Sequence, residues 1–264
     1  MKKTNIPWGM LAGMAAILIL NAGCSADGGK SADSGGESGQ GGSMARFTIN
    51  GDYLYTVDSY SLNVVSIKDP AEPIAIETVS VGRDIETIFT MKDLLFIGSQ
   101  GAMYIYDISR PEFPKLKSGI SHFRSCDPVV AYENLAFVTL NNSSGSWCGG
   151  RGDFLQVYDI TDLEKPVQIC QINLSSPRGL AVDGEQKIVF VCDNGVKAYD
   201  FTDVENTKTI EGLYTAASLP EVKKIDAYDC IAIDGTLLVI GSDGLYQLAY
   251  DRDGFTFVSK IDLR

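Results

Sequence analysis

From residue 45 onward, apolar runs of four to eight residues alternate with short polar stretches rich in Gly, Asp, Asn and Pro. The group at 178–214 is the cleanest. An apolar run at 178–182 is followed by Asp183-Gly184-Glu185-Gln186, a second run at 187–192 by Asp193-Asn194-Gly195, and a third at 196–201 by a polar turn and a fourth run at 207–214. Runs of this length between turn formers read as β-strands, and Asp-Gly and Asn-Gly tolerate the positive φ that tight hairpins require. The same plan predicts strands at 45–49, 53–57, 62–67 and 74–81, then at 86–90, 94–97, 103–108 and 115–120. It continues at 129–132, 135–140, 154–160 and 167–173, and ends at 230–233, 237–240, 245–250 and 255–261.

A third-strand motif ties the groups together. Met103-Tyr104-Ile105-Tyr106-Asp107-Ile108-Ser109-Arg110-Pro111 is echoed by Gln156-Val157-Tyr158-Asp159-Ile160-Thr161-Asp162, by Lys197-Ala198-Tyr199-Asp200-Phe201-Thr202 and, degenerately, by Val64-Val65-Ser66-Ile67-Lys68-Asp69-Pro70. Equivalent positions Ser66, Asp107, Asp159, Asp200 and Ala249 lie 41, 52, 41 and 49 residues apart, close to the length of one propeller blade. The expected fold is all-β, a β-propeller of about five four-stranded blades, with units at about 44–82, 83–121, 122–175, 176–218 and 219–264.

These runs, with Pro73, Pro114 and Pro166, resemble the LVIVD-repeat family of bacterial surface and periplasmic proteins over about residues 44–264. The fifth unit lacks the Asp-Ile-Ser/Thr and the Pro pair. The resemblance implies a propeller acting as an extracytoplasmic binding or scaffold module, and it implies no catalytic residues.

The first 43 residues follow a different pattern. Met1-Lys2-Lys3 is a basic start, residues 8–20 are apolar, and Leu20-Asn21-Ala22-Gly23-Cys24 resembles a bacterial lipoprotein signal. Residues 1–23 are thus expected to be a leader and Cys24 the lipidated N-terminus; an ordinary secretory signal with an incidental cysteine is the alternative. Residues 25–43 are mostly Gly, Ser, Ala and Asp, the composition of a flexible tether holding a folded domain off a bilayer. The expected location is the bacterial cell envelope, with the membrane reached through the lipid anchor alone. Loss of Lys2 and Lys3 with the leader moves the net charge from −12 to −14, which argues against nucleic-acid or anionic-membrane partners. A monomer binding a protein or glycan is expected.

Candidate chemistry follows from strand parity. In an up-and-down blade, loops preceding first strands and loops joining second to third strands share one face. The long segments 141–153 and 215–228 therefore decorate one mouth. Aligning units on their second strands puts Glu86, Asp127 and Asp229 at one level, with Arg178 near it, and Arg83, Arg124 and Asp226 three residues earlier. Such a ring would clamp a polar ligand, or its charges would pair with one another to close the channel. Trp147, among Gly and Ser, would stack on a sugar or partner or fold back over the channel. Cys126 and Cys148 fall on the same face and would form a disulfide pinning the loop, or stay separate thiols.

Enzymatic chemistry has less support. His122 is the single histidine, which removes multi-histidine metal sites and leaves no Gly-x-Ser-x-Gly elbow to accompany a triad. His122 reads as a loop residue near the ring, or as an acid or base. No cofactor or metal is expected. Arg151-Gly152-Asp153 spells an integrin-type tripeptide that reads as chance in a Gly-rich loop, and Asp251-Arg252-Asp253-Gly254 reads as a hairpin turn rather than a calcium loop, since Phe255 holds the fifth position and no Glu stands at the twelfth. The enzymatic alternative is a glycosidase or lyase using Glu86, Asp127 or Asp229.

Overall fold

The computed structural model describes residues 41–121, 128–142, 152–216, 219, 222 and 225–263, the side chain of Thr207 excepted. Blade 1 holds β1 (Phe47–Asn50), β2 (Tyr53–Val57), β3 (Ser61–Ser66) and β4 (Ile74–Ser80). Blade 2 holds β5 (Ile85–Met91), β6 (Leu94–Ser99), β7 (Ala102–Asp107) and β8 (Lys115–Ser121). In blade 3 are β9 (Val129–Tyr132), β10 (Leu135–Leu140), β11 (Phe154–Asp159) and β12 (Val167–Asn173). Blade 4 has β13 (Pro177–Asp183), β14 (Ile188–Asp193), β15 (Val196–Asp200) and β16 (Glu211–Thr215). Blade 5 has β17 (Ala227–Ile233), β18 (Thr236–Gly241), β19 (Gly244–Tyr250) and β20 (Phe255–Asp262). Each sheet is antiparallel with its strands in chain order, and the first strands of successive sheets lie side by side.

The apolar runs are continuous because the middle strands are covered on both faces. Along β14, Ile188, Phe190 and Cys192 enter the core between blades 4 and 5, while Val189 and Val191 enter the core between blades 3 and 4. Likewise Leu95 and Ile97 of β6 face blade 1, and Phe96 faces blade 3. A side-chain period of two, apolar on both faces, builds a sheet that is stable only between two others. The outer strands show the converse: every residue of β4 except Val79 is exposed.

Four seams between successive blades carry such a core. Among the described residues, no core cluster spans blade 5 and blade 1. That seam is joined by the segment preceding β1. Ser43, 1% exposed, donates its hydroxyl to Asp229 Oδ1 of blade 5 at 2.8 Å and accepts the Leu180 N–H of blade 4 at 2.8 Å. The Met44 N–H reaches Asp229 Oδ2 at 3.1 Å, and Ile88 of blade 2 donates its N–H to Ala45 O at 2.9 Å. The described fold therefore takes in 41–43, the end of the Gly/Ser-rich stretch. The expected leader at 1–23, Cys24 and the rest of that stretch lie outside the described residues.

The Asp-Ile-Ser/Thr motif is a turn device. Asp107, Asp159 and Asp200 each accept, through Oδ1, the N–H two residues on, at 2.8, 2.9 and 2.8 Å, while Ile108, Ile160 and Phe201 drop into inter-blade cores. Such Asx turns end the third strand without leaving its amides unpaired. Around Asp107, the hydroxyl and N–H of Ser109 together with the Lys117 ammonium at 3.1 Å hold the carboxyl down at about 2. A lowered folded pKa stabilises the fold above the unfolded value near 3.9, and this contribution is lost as pH falls toward 2. The expected result for Asp107→Asn is a Tm gap to the wild type that narrows steadily in melts taken from pH 6 to pH 2. A constant gap would refute the assignment.

One strand begins later than its pattern predicts. Residues 204–207 form a helical turn, α1 (Val204–Thr207), closed by Lys208 in the left-handed region at φ 57°. Val204 and Ile210 are both buried in the core between blades 3 and 4, so the turn serves to lay two apolar side chains inward before β16 starts.

Candidate functional site

The inner strands open on two mouths. At the mouth of the long segments, hydrogen-bond register changes the level of the predicted residues. Bulges interrupt β5 between Ile85 and Thr87, β13 between Pro177 and Leu180, and β17 between Ala227 and Asp229. In this register Asp229 pairs with Ile240 as Thr87 pairs with Gly98, so Asp229 matches Thr87 and Glu86 matches Tyr228. Glu86 and Asp229 are thus one position apart, a correction to the alignment on second strands: Thr236 pairs with Ile233 as Leu94 pairs with Met91, so the second strand of blade 5 starts one residue before the apolar run at 237–240.

The described candidates here are engaged by the framework. Glu86 accepts a hydrogen bond from Gln100 Nε2 at 3.0 Å. Arg178 donates to Asp226 Oδ1 at 2.8 Å and lies over the Tyr228 ring, 4.9 Å from its centroid. Asp229 receives Ser43, Met44 and Cys230, and its burial pushes the carboxyl above its usual range despite those donors. A Cβ on Gly179 would stand 2.6 Å from the Asp229 Cα, so that close approach needs glycine. Arg83 borders a separate hollow of about 320 Å³ with Asp84, Gln100 and Tyr104. His122, Arg124, Cys126, Asp127, Trp147 and Cys148 lie outside the described residues. At the base of the 141–153 segment, Asn142 donates its N–H to Asp153 Oδ1 at 2.7 Å, and the Asn141 amide donates to Pro177 O at 2.6 Å.

The opposite mouth, where first strands turn into second strands, holds a cavity of about 500 Å³. All five blades line it, through Phe47 and Thr48, Ile88 to Lys92, Tyr132, Val182 to Gln186, and Ala232 to Gly235 with Tyr250. Its rim is locked across blades. The Tyr250 hydroxyl donates to Asp183 Oδ2 at 2.7 Å, and Asp183 Oδ1 accepts the N–H groups of Glu185 and Gln186 at 2.9 and 3.0 Å. Burial and the neighbouring Asp183 push the Tyr250 phenol well up, so it stays a donor. Arg252 donates to Gln186 O at 2.6 Å, and Lys187 pairs with Glu133 at 3.3 Å while lying 4.5 Å from the Tyr132 ring centroid. Gly184 rides directly on that ring, where a Cβ would come within 1.7 Å of a ring carbon.

The chemistry of this mouth is mixed. Phe47, 61% exposed, and Ile233, 40% exposed, offer apolar surface to solvent. Beside them stand the carboxylates Asp183, Glu185 and Asp234, with Lys92 as the cation among the lining residues. Sequence parity directed attention to the other face because it was read from loop length. The signal for this one was the run of Asp-Gly turns at 183–184 and 234–235, which converge only once the blades close. Among the described residues, no cluster of His, Cys, Asp and Glu is arranged to hold a metal ion.

No protein-family model matches the chain, and no curated protein matches it in sequence. Solved structures do. A functionally unknown protein of Desulfotomaculum acetoxidans superposes with a TM-score of 0.61 at 10% identity, over 86% of this chain and 70% of the other. The periplasmic gluconolactonase PpgL of Pseudomonas aeruginosa gives 0.59 at 12% identity, over 81% and 68%. AztD of Citrobacter koseri gives 0.56 at 14% identity, over 81% of this chain and 63% of its own. At these identities the likeness shows the fold, a β-propeller, and this chain spans about two thirds of each neighbour.

Proposed function

We propose that the chain is a lipid-anchored, extracytoplasmic binding module whose ligand seat is the cavity at the turn-side mouth, and that its ligand is a carbohydrate. The observation that carries the reading is the convergence of all five blades on one 500 Å³ hollow combining exposed Phe47 with acceptor carboxylates. A sugar presents an apolar ring face to an aromatic side chain and its hydroxyls to carboxylate oxygens, which accept without donating. The locked rim favours this, since a preformed site loses less entropy on binding. The leader pattern ending at Cys24, the tether after it and the resemblance to LVIVD-repeat proteins support the location. A glycosidase or lyase built on Glu86 and Asp229 has less in its favour, because both are held by framework donors.

The test is calorimetric titration of the full-length protein with a panel of oligosaccharides. Phe47→Ala is expected to weaken binding about tenfold or more, equivalent to about 1.4 kcal/mol, and Trp147→Ala to leave it unchanged. Binding lost in Trp147→Ala and kept in Phe47→Ala would move the seat to the face of the long segments. Absence of any saccharide binding would refute the ligand class. In parallel, Cys24→Ser is expected to shift the protein from the membrane to the soluble fraction.

A further inference from the structure

The turns around the 500 Å³ cavity carry charge where the backbone resists it. Each hairpin from a first to a second strand holds a residue in the left-handed region: Gly51, Lys92, Glu133, Lys187 and Asp234, at φ 55, 53, 52, 58 and 47°. Lysine and glutamate take a Cβ into that region at a cost, and residues held at such a cost concentrate at functional sites. Lys187 and Glu133 pair with each other at 3.3 Å. Among the described residues, the side chains of Lys92, Asp234 and Glu185 form no hydrogen bond or ion pair, and all three line the cavity. Tyr250 ties the two acidic turns together, its N–H donating to Gly235 O at 3.0 Å and its hydroxyl to Asp183 Oδ2 at 2.7 Å. Glu185 and Asp234 thus belong to adjoining blades 4 and 5, whereas Lys92 belongs to blade 2, which adjoins neither.

We propose that the saccharide taken by this cavity carries an unblocked, protonated amine, which Glu185 and Asp234 receive while Phe47 covers a ring face. The inference rests on the reading of the cavity as a saccharide seat and adds the charge of the sugar. Among the lining residues the carboxylates Asp183, Glu185 and Asp234 stand against the ammonium of Lys92 alone. Asp183 is engaged, since its oxygens already accept Tyr250, Glu185 and Gln186. A neutral sugar would donate hydroxyls to Glu185 and Asp234 yet leave two negative charges drawn out of water without compensation. An ammonium supplies donors and opposite charge together, in hydrogen bonds roughly twice as strong as neutral ones. A sugar carrying a carboxylate or sulfate meets the same pair as repulsion. N-acetylation removes the charge from the amine, so the acetylation state of an otherwise identical sugar decides whether it is held.

The experiment is calorimetric titration of the full-length protein with a short β-1,4-linked glucosamine oligomer and, separately, with its fully N-acetylated counterpart, near pH 6, where the amines are protonated and the carboxylates ionised. The free-amine oligomer is expected to bind about tenfold tighter or more. That preference should shrink as pH rises to about 9 and the amines lose their protons, and as salt is raised from about 20 mM to about 0.5 M. Glu185→Gln and Asp234→Asn, which keep size and hydrogen-bonding capacity, should each weaken the free-amine oligomer by about threefold to tenfold and leave the acetylated one unchanged. Glu77→Gln, an equal loss of charge on the exposed strand β4, should leave both unchanged. Equal affinity for the two oligomers overturns the inference, as does a free-amine preference that survives Glu185→Gln and Asp234→Asn or falls equally in Glu77→Gln. Binding of neutral saccharides alone overturns the charge assignment and leaves the saccharide seat standing; absence of any saccharide binding overturns both.

Discussion

Asp229→Ala is expected to lower the free energy of unfolding by about 2–4 kcal/mol, a loss read directly from urea denaturation at neutral pH. Three donors converge on this carboxylate: the Ser43 hydroxyl at 2.8 Å, the Met44 N–H at 3.1 Å and the Cys230 N–H at 2.9 Å. A buried donor stripped of its acceptor costs about 1–3 kcal/mol, and only part of that is recovered by water or relaxation. The site matters beyond its own hydrogen bonds, because Ser43 and Met44 join blade 5 to the start of blade 1 where, among the described residues, no apolar core cluster does.

The pH dependence separates this from a generic packing loss. Burial raises the folded pKa of Asp229, so its titration contributes stability in full below the unfolded value near 3.9 and loses it as pH rises through the folded value. The gap between wild type and Asp229→Ala should therefore be wider near pH 4 than near pH 8. A gap of the same size at both pH values would refute the titration of Asp229, and a gap within 1 kcal/mol at neutral pH would remove it from the closure of the ring.

Phe190→Ala should cost more, about 3–5 kcal/mol. Phe190 is fully buried at 0% exposure in the core between blades 4 and 5, with the Tyr250 ring centroid 4.6 Å away and that of Phe255 5.9 Å away. Removing the ring leaves a hole walled by two sheets that are each held from behind, so little collapse can fill it. Phe190→Leu keeps most of the volume and should cost about 1.5 kcal/mol or less. Since the rim tyrosine Tyr250 packs edge-on against this ring, saccharide binding should weaken in Phe190→Ala and survive in Phe190→Leu. If the alanine variant unfolds within 1 kcal/mol of wild type, the seam between blades 4 and 5 does not carry the load assigned to it.

Particular residues show why some of this was legible and some was not. The alternation of Ile188, Val189, Phe190 and Val191 announces a strand apolar on both faces, and a strand of that kind can only sit between two sheets. Asp107, Asp159 and Asp200 announce turns because each interaction spans two residues. Val204 misled, since an apolar residue inside a polar turn reads the same whether it continues toward a strand or folds inward in a helical turn. Glu86 and Asp229 were placed at one level by spacing from Leu94 and Leu237, and the pairing of Leu94 with Met91 and of Thr236 with Ile233 sets them one residue apart.

By itself, the sequence determined the strands, their turns, their grouping by four and hence a propeller, because all of these depend on periodicity and on contacts between chain neighbours. Only the tertiary structure decided where all five blades converge on one cavity and that Ser43 reaches Asp229 across 186 residues. Those features depend on which sheet lies against which and at what register. A single bulged residue changes a side chain's direction without changing the pattern that predicts the strand.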